Sequence, residues 1–227
     1  MRIEESIINN GHGYLDASYL VIHETANPGA TAPNHVAYWR NNPGAPMTHY
    51  VCDWDPIVYH CVPDNRMCWH VGNGNAFTIG IELCHAETPD GFLRVWNNAV
   101  EFAAYYLSKR GWSVDRLLSH DDCRRRWGGT DHTDPISYFE QYGRSWQQFK
   151  EEVSLELELM RMNSKDLARD IVDELMNRDI KNFDSDFHAD VKWRIANLGN
   201  KTQGMLGLLE RIAKKLDEIC ELLKKRQ

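Results

Sequence analysis

No apolar run in the 227-residue chain approaches the roughly 20 residues that a membrane-spanning helix requires. The longest, around YLVI at 19–22, has the length of a strand. The opening MRIEE carries two acidic residues where a secretion signal would carry positive charge, so a product kept in a cytoplasm without a signal peptide is expected. Positive charge is scarce as well: 26 Lys and Arg face 33 Asp and Glu, a net charge of −7. Nucleic-acid binding draws most of its affinity from basic groups on phosphates, which argues against a DNA or RNA partner. The six cysteines form no C-x-x-C pair, which disfavours an all-thiolate zinc site. In a cytoplasmic product they read as free buried thiols, with Cys52, Cys61 and Cys84 in strand-like runs. There is no H-E-x-x-H, so a metal site would have to be assembled from distant segments.

What is present falls into two parts. Seven of the eight tryptophans and nine of the ten histidines lie in residues 1–150. There, strand-like runs (SYLVIH, HYVCDW, IVYHCV, FTIGIEL) alternate with helical ones (NHVAYWRNN and RVWNNAVEFAAYYLSKRG), the second ending in the Lys-Arg-Gly of a helix C-terminus. This is an α/β pattern. Beyond a linker at 151–164, residues 165–227 read as a small all-α domain, with Val191, Ile195, Leu198, Thr202, Met205, Leu209, Ile212, Leu216, Ile219 and Leu223 in heptad steps. Gly199, Gly204 and Gly207 weaken the seam in its middle, each by about 1 kcal/mol against alanine. A tail of this size makes a thin core, so both an intrachain bundle and a homo-oligomer through the seam remain open. Met160 and Met162 precede it, and an internal start at either would release it as a separate C-terminal fragment.

Zinc catalysis needs three protein ligands and one open position. His23 ends a strand-like run and is followed by polar ETAN; His120 closes VDRLLSH; Asp134 stands beyond a Gly128-Gly129 turn that can fold it back. Singly, none of the three is decisive.

Together with their surroundings they are. VIHETANPGATAPNHVAYW, MTHYVCDWDPIVYHCVPDNRMCWHVGNGN, TIGIELC, LLSHDDC and DHTDPISYF, in this order and spacing, resemble the zinc-dependent N-acetylmuramoyl-L-alanine amidases of the type-2 family. That family includes phage endolysins and is related to peptidoglycan recognition proteins. The resemblance spans about residues 5–150 and implies a mixed central sheet flanked by helices. It places zinc on His23, His120 and Asp134, the catalytic acid on Glu82, and the basic residue two before the third ligand on His132. Many members have lysine at that last position. Thr48 stands where some relatives have a catalytic tyrosine, whose part would pass to Glu82.

The chemistry is consistent with these roles. Two neutral imidazoles and one carboxylate leave zinc a net +1, enough to bring a bound water's pKa toward neutrality. Glu82 would shuttle the proton and His132 would stabilise an oxyanion. His49 and His70 read either as polar contacts of the cleft or as core histidines. Trp69, Trp127 and Asn73 are candidates for a sugar-peptide groove, Trp39, Trp96 and Trp112 for core. Arg124, Arg125 and Arg126 would face peptide carboxylates or solvent. The implied function is a phage endolysin that waits in the host cytoplasm and then cuts the amide between N-acetylmuramic acid and L-alanine in peptidoglycan, causing lysis. A non-catalytic peptidoglycan-binding module is the alternative; a glycosidase with paired carboxylates would work without metal.

Overall fold

A computed structural model describes residues 1–8 and 11–161. The all-α domain expected at 165–227, its heptad seam and Met162 lie outside the described residues. The chain divides between Leu157 and Glu158 into two units, and the fold below is that of the first. Among the described residues no helix is long and apolar enough to cross a membrane.

Six strands form one sheet: β1 (Arg2–Glu5), β2 (Tyr19–Glu24), β3 (Tyr50–Cys52), β4 (Ile57–His60), β5 (Thr78–Leu83) and β6 (Leu117–Ser119). Their spatial order is β1-β4-β3-β5-β2-β6. Only β3 and β4 run antiparallel, so the sheet is mixed, as the resemblance implies. The charged edge strand β1 has no apolar run to announce it; it forms by pairing in parallel with β4.

Alternation along the central strands assigns the two faces. Leu20 and Ile22 of β2, Tyr50 and Cys52 of β3, and Ile79, Ile81 and Leu83 of β5 belong to one core, with α2 (Pro89–Arg110) and the later helices packed against it. The intervening residues, Val21 and His23 of β2, Val51 of β3 and Thr78, Gly80 and Glu82 of β5, therefore point to the opposite face. On that side α1 (Ala32–Asn41) packs Val36 and Trp39 over Val51. A smaller cluster there joins Val21, Val71, Leu118 and Cys123.

The long helix α2 begins at Pro89 after an N-cap at Thr88 and stops at Gly111, whose φ of 66° lets it close the C-terminus in a left-handed turn. Two elements differ from the sequence reading. HDDCRRRW, whose density of charge makes it read as a polar loop, is helix α3 (His120–Trp127). Its signature is the capping box, in which Ser119 and Asp122 satisfy one another's backbone N–H groups. Residues 151–161 of the expected linker continue helix α5 (Trp146–Arg161), because Phe149, Val153, Glu156 and Leu157 present a buried face at helical spacing. Glu152 of this helix also accepts the Trp96 indole N–H at 2.7 Å and Arg144 at 3.1 Å. A short helix α4 (Ile136–Gln141) adds Tyr138 and Phe139 to the main core.

Candidate active site

Parallel β2 and β5 place His23 and Glu82 as register partners, on the same face near the strands' C-terminal ends. Ligand sites of open α/β sheets lie there because the connecting loops diverge at those ends. On the other side of β2, strand β6 ends at Ser119, so His120 opens α3 beside His23. Asp134 is folded back to them after Gly128 and Gly129, both with positive φ (67° and 79°). This loop is stapled to the segment after His70: Asn73 N–H donates to the Gly128 carbonyl and its side-chain amide to the Trp127 carbonyl. Gly72 makes the approach possible, since a Cβ there would lie 2.3 Å from the Gly129 carbonyl oxygen.

The three expected ligands converge. Donor atoms of His23, His120 and Asp134 all lie within 4.8 Å of one another. His23 Nδ1 is 3.1 Å from Asp134 Oδ2, and His120 Nδ1 is 3.0 Å from Asp134 Oδ1. Despite that approach, His120 Nδ1 is buried and makes no hydrogen bond among the described residues. Burial holds the pKa of His23 below its ordinary value, and the charges of His120 and His132 add to that, against the pull of Asp134. Burial alone would raise Asp134, but its contacts with the two histidines outweigh this and hold it well below the usual carboxylate range. Two imidazoles and an ionised carboxylate turned inward on one point fit a divalent cation, and suit zinc by donor type.

Glu82 stands beside this set with Oε2 buried and, among the described residues, without a hydrogen-bond partner. Burial first, then the nearby charges of Asp134 and Glu24, push its pKa well above the ordinary carboxylate value. His132 sits at the rim, 69% exposed at its side chain, with its ring centroid 5.0 Å from that of His120 and Nδ1 3.8 Å from Asp134 Oδ1. Thr48 is fully buried and its hydroxyl donates to the Tyr50 carbonyl at 2.7 Å, so it offers nothing to the cleft.

The remaining candidates separate clearly. His49 is a core tie: Nδ1 accepts the Gly80 N–H at 3.1 Å, Nε2 contacts the Arg66 carbonyl at 2.8 Å, and burial lowers its pKa to about 4. His70 contacts the candidate ligand His23 at 2.9 Å. Asn73 is spent on the loop staple. Trp69 is exposed and stacks on His12, with centroids 3.6 Å apart, while Trp127 packs with Tyr19 and Phe77. Trp39 and Trp96 are core, as is the partly buried Trp112. Arg124 and Arg125 pair with the buried Asp121 of their own helix, and Arg126 bonds the Tyr19 hydroxyl. Cys52, Cys61, Cys68, Cys84 and Cys123 are free and buried. A cleft of about 340 Å³ leads to Glu82 between Thr25, Asn27 and the α1 residues Asn34, His35 and Tyr38. The sequence reading passed over this wall, because exposed polar residues on a short helix carry no distinguishing pattern.

Three donor atoms turned on one point, beside a carboxylic acid at the ends of parallel strands, are the arrangement expected of a mononuclear metallohydrolase. The comparisons make the class specific. The family model described as N-acetylmuramoyl-L-alanine amidase (Amidase_2) matches residues 13–137, and the chain belongs to this family. Among curated proteins it is similar to N-acetylmuramoyl-L-alanine amidase CwlA of Bacillus subtilis, 35% identical over 121 residues, covering 51% of this chain and 42% of that protein. It also resembles Protein Ami of Listeria monocytogenes, 32% identical over 171 residues, covering 71% of this chain and 18% of that protein. The chain thus spans less than half the length of these relatives. Among solved structures, the Staphylococcus aureus hydrolase AmiA superposes with a TM-score of 0.64 at 26% identity, covering 68% of this chain and 82% of that one. A mutant endolysin from Bacillus subtilis does so at 0.54 and 28%, covering 66% and 97%.

Proposed function

We propose that the chain is a zinc-dependent peptidoglycan amidase that hydrolyses the bond between the lactyl group of N-acetylmuramic acid and the L-alanine of the stem peptide. The observation that carries the reading is the juxtaposition of Glu82, buried and unpartnered at Oε2, with the inward-facing set His23, His120 and Asp134. Zinc bound by those three residues would supply Lewis acidity, lowering the pKa of water and polarising the scissile carbonyl. Glu82 moves the proton: Oε2 takes it from the attacking water and returns it to the leaving amine nitrogen of L-alanine. A cation against Asp134 would offset the negative charge that helps keep Glu82 protonated, leaving it free to act as a base. His132, at the rim and without a competing short hydrogen bond to a side chain, donates to the oxyanion. The cleft along α1 takes the substrate.

A role as a phage endolysin causing host lysis is supported by the likeness to the mutant endolysin from Bacillus subtilis. Residues 165–227 would then serve wall binding or oligomerisation, with an internal start at Met160 or Met162 tested by intact-mass analysis of the purified product. The test of the activity is digestion of purified walls with and without a chelator, followed by identification of the new ends. New L-alanine amino groups that vanish on chelation support the amidase. New reducing sugar ends would indicate a glycosidase, and binding without cleavage a non-catalytic module.

A further inference from the structure

We propose that His70 is a positioning residue for the metal site: with Thr78 it holds His23 in the tautomer protonated on Nε2, so that Nδ1 presents its lone pair to the ion. This rests on the zinc-site reading above and extends it one layer outward.

The direction of the hydrogen-bond chain is set at its far end. A threonine hydroxyl has one hydrogen. That of Thr78 goes to the Gly74 carbonyl, 2.9 Å away. The contact between Thr78 Oγ1 and His70 Nε2, at 3.0 Å, therefore carries the imidazole's proton, and His70 donates. A neutral imidazole that donates from Nε2 accepts at Nδ1. His70 Nδ1 lies 2.9 Å from His23 Nε2, which must be the donor. A neutral His23 protonated there is bare at Nδ1, the atom 3.1 Å from Asp134 Oδ2. The opposite polarity would need the Thr78 hydrogen on His70 and would strip the Gly74 carbonyl of it.

The surroundings fix the ring in place. Asn75 Oδ1 accepts the backbone N–H groups of both His70 and Val71, at 2.9 and 2.8 Å. Gly80 supplies the space: a Cβ there would fall 2.6 Å from His70 Nδ1. A ligand histidine whose second nitrogen is held by an outer partner loses less freedom on binding and is a stronger donor. Here the outer partner is a second imidazole, itself oriented by a buried hydroxyl.

The test is zinc affinity of the full chain, measured by competition with a chromophoric chelator, for wild type, Thr78→Val and Thr78→Ser. Valine keeps the shape and removes the acceptor, and is expected to weaken zinc about 10-fold or more. Serine restores the hydroxyl and is expected to return affinity to near wild type. Long-range nitrogen–proton spectra of the zinc-loaded wild type provide a readout independent of any variant's folding. They should show His70 protonated on Nε2 alone and His23 carrying its proton on Nε2. Unchanged zinc affinity in Thr78→Val, failure of serine to rescue, or a His70 protonated on Nδ1 would each overturn the proposal. A wild-type chain that binds no zinc would instead overturn the metal-site reading beneath it.

Discussion

Asp134 meets His120 twice. The His120 backbone N–H donates to the Asp134 carbonyl at 3.1 Å, and His120 Nδ1 stands 3.0 Å from Asp134 Oδ1. The first contact satisfies a helix-start N–H that has no intrahelical acceptor. It also fixes the loop that carries Asp134, so the candidate ligands His120 and Asp134 are set by one local arrangement and both face His23. The ligands are thereby separated in role from Glu82, which comes from another strand. Asp134→Ala should lose zinc and activity together. Glu82→Gln should keep zinc while turnover falls by about 10²- to 10⁴-fold, the usual worth of a general acid–base group. Metal content by mass spectrometry and turnover on purified walls check both, and a fully active Glu82→Gln would remove the proton-transfer role.

Metal removal should be visible in stability as well as in activity. Burying two imidazoles and an ionised carboxylate with their donor atoms turned on one point leaves polar atoms that a bound cation would compensate. A ligand that binds the native state alone adds stability by mass action, about 2.7 kcal/mol at 100 times Kd. Chelation is expected to lower Tm, with recovery on stoichiometric zinc. A Tm indifferent to both additions would contradict the site.

The placement of this candidate site is legible in the sequence because its blocks put His23 and Glu82 near strand ends, where local pattern and topology coincide. SYLVIH and FTIGIEL become β2 and β5, and His23 and Glu82 fall into register. What stayed hidden depends on tertiary contact. The edge strand β1 exists through its pairing with β4. HDDCRRRW looked like a loop because charge masked its helical spacing, although the Ser119–Asp122 capping box was legible. His49 and His70 were indistinguishable by pattern: one ends in the core on backbone groups, the other on a ligand, and only the distances separate them.

His132 differs from the ligands in being exposed and held by no short side-chain contact, so its removal should leave the fold and the metal alone. His132→Ala is expected to reduce kcat by about 10²- to 10³-fold, as loss of an oxyanion donor does, with zinc affinity unchanged. His132→Lys, which keeps a donor at the rim, should retain much more activity than the alanine variant. Equal losses in the two would point away from hydrogen-bond donation.

The last prediction concerns stability away from the cleft. Asp64 accepts the hydroxyls of Tyr50 at 2.6 Å and Tyr106 at 3.0 Å, and lies 3.5 Å from His60 Nε2. Burial alone would raise its pKa, but the three partners outweigh burial and bring it down to about 2, from an ordinary 3.8. Its charged form is therefore favoured by folding. That stability is fully present above pH 3.8 and is lost as pH falls through about 2. Because the carboxylate is partly exposed, solvent screening reduces the contribution to on the order of 1 kcal/mol. Asp64→Asn should be less stable than wild type at pH 7 by roughly this amount, and the gap should close as pH approaches 2. Denaturant unfolding of the pair across that range measures it. A gap that stayed constant with pH would mean that the network stabilises through packing of Tyr50 and Tyr106 rather than through the charge.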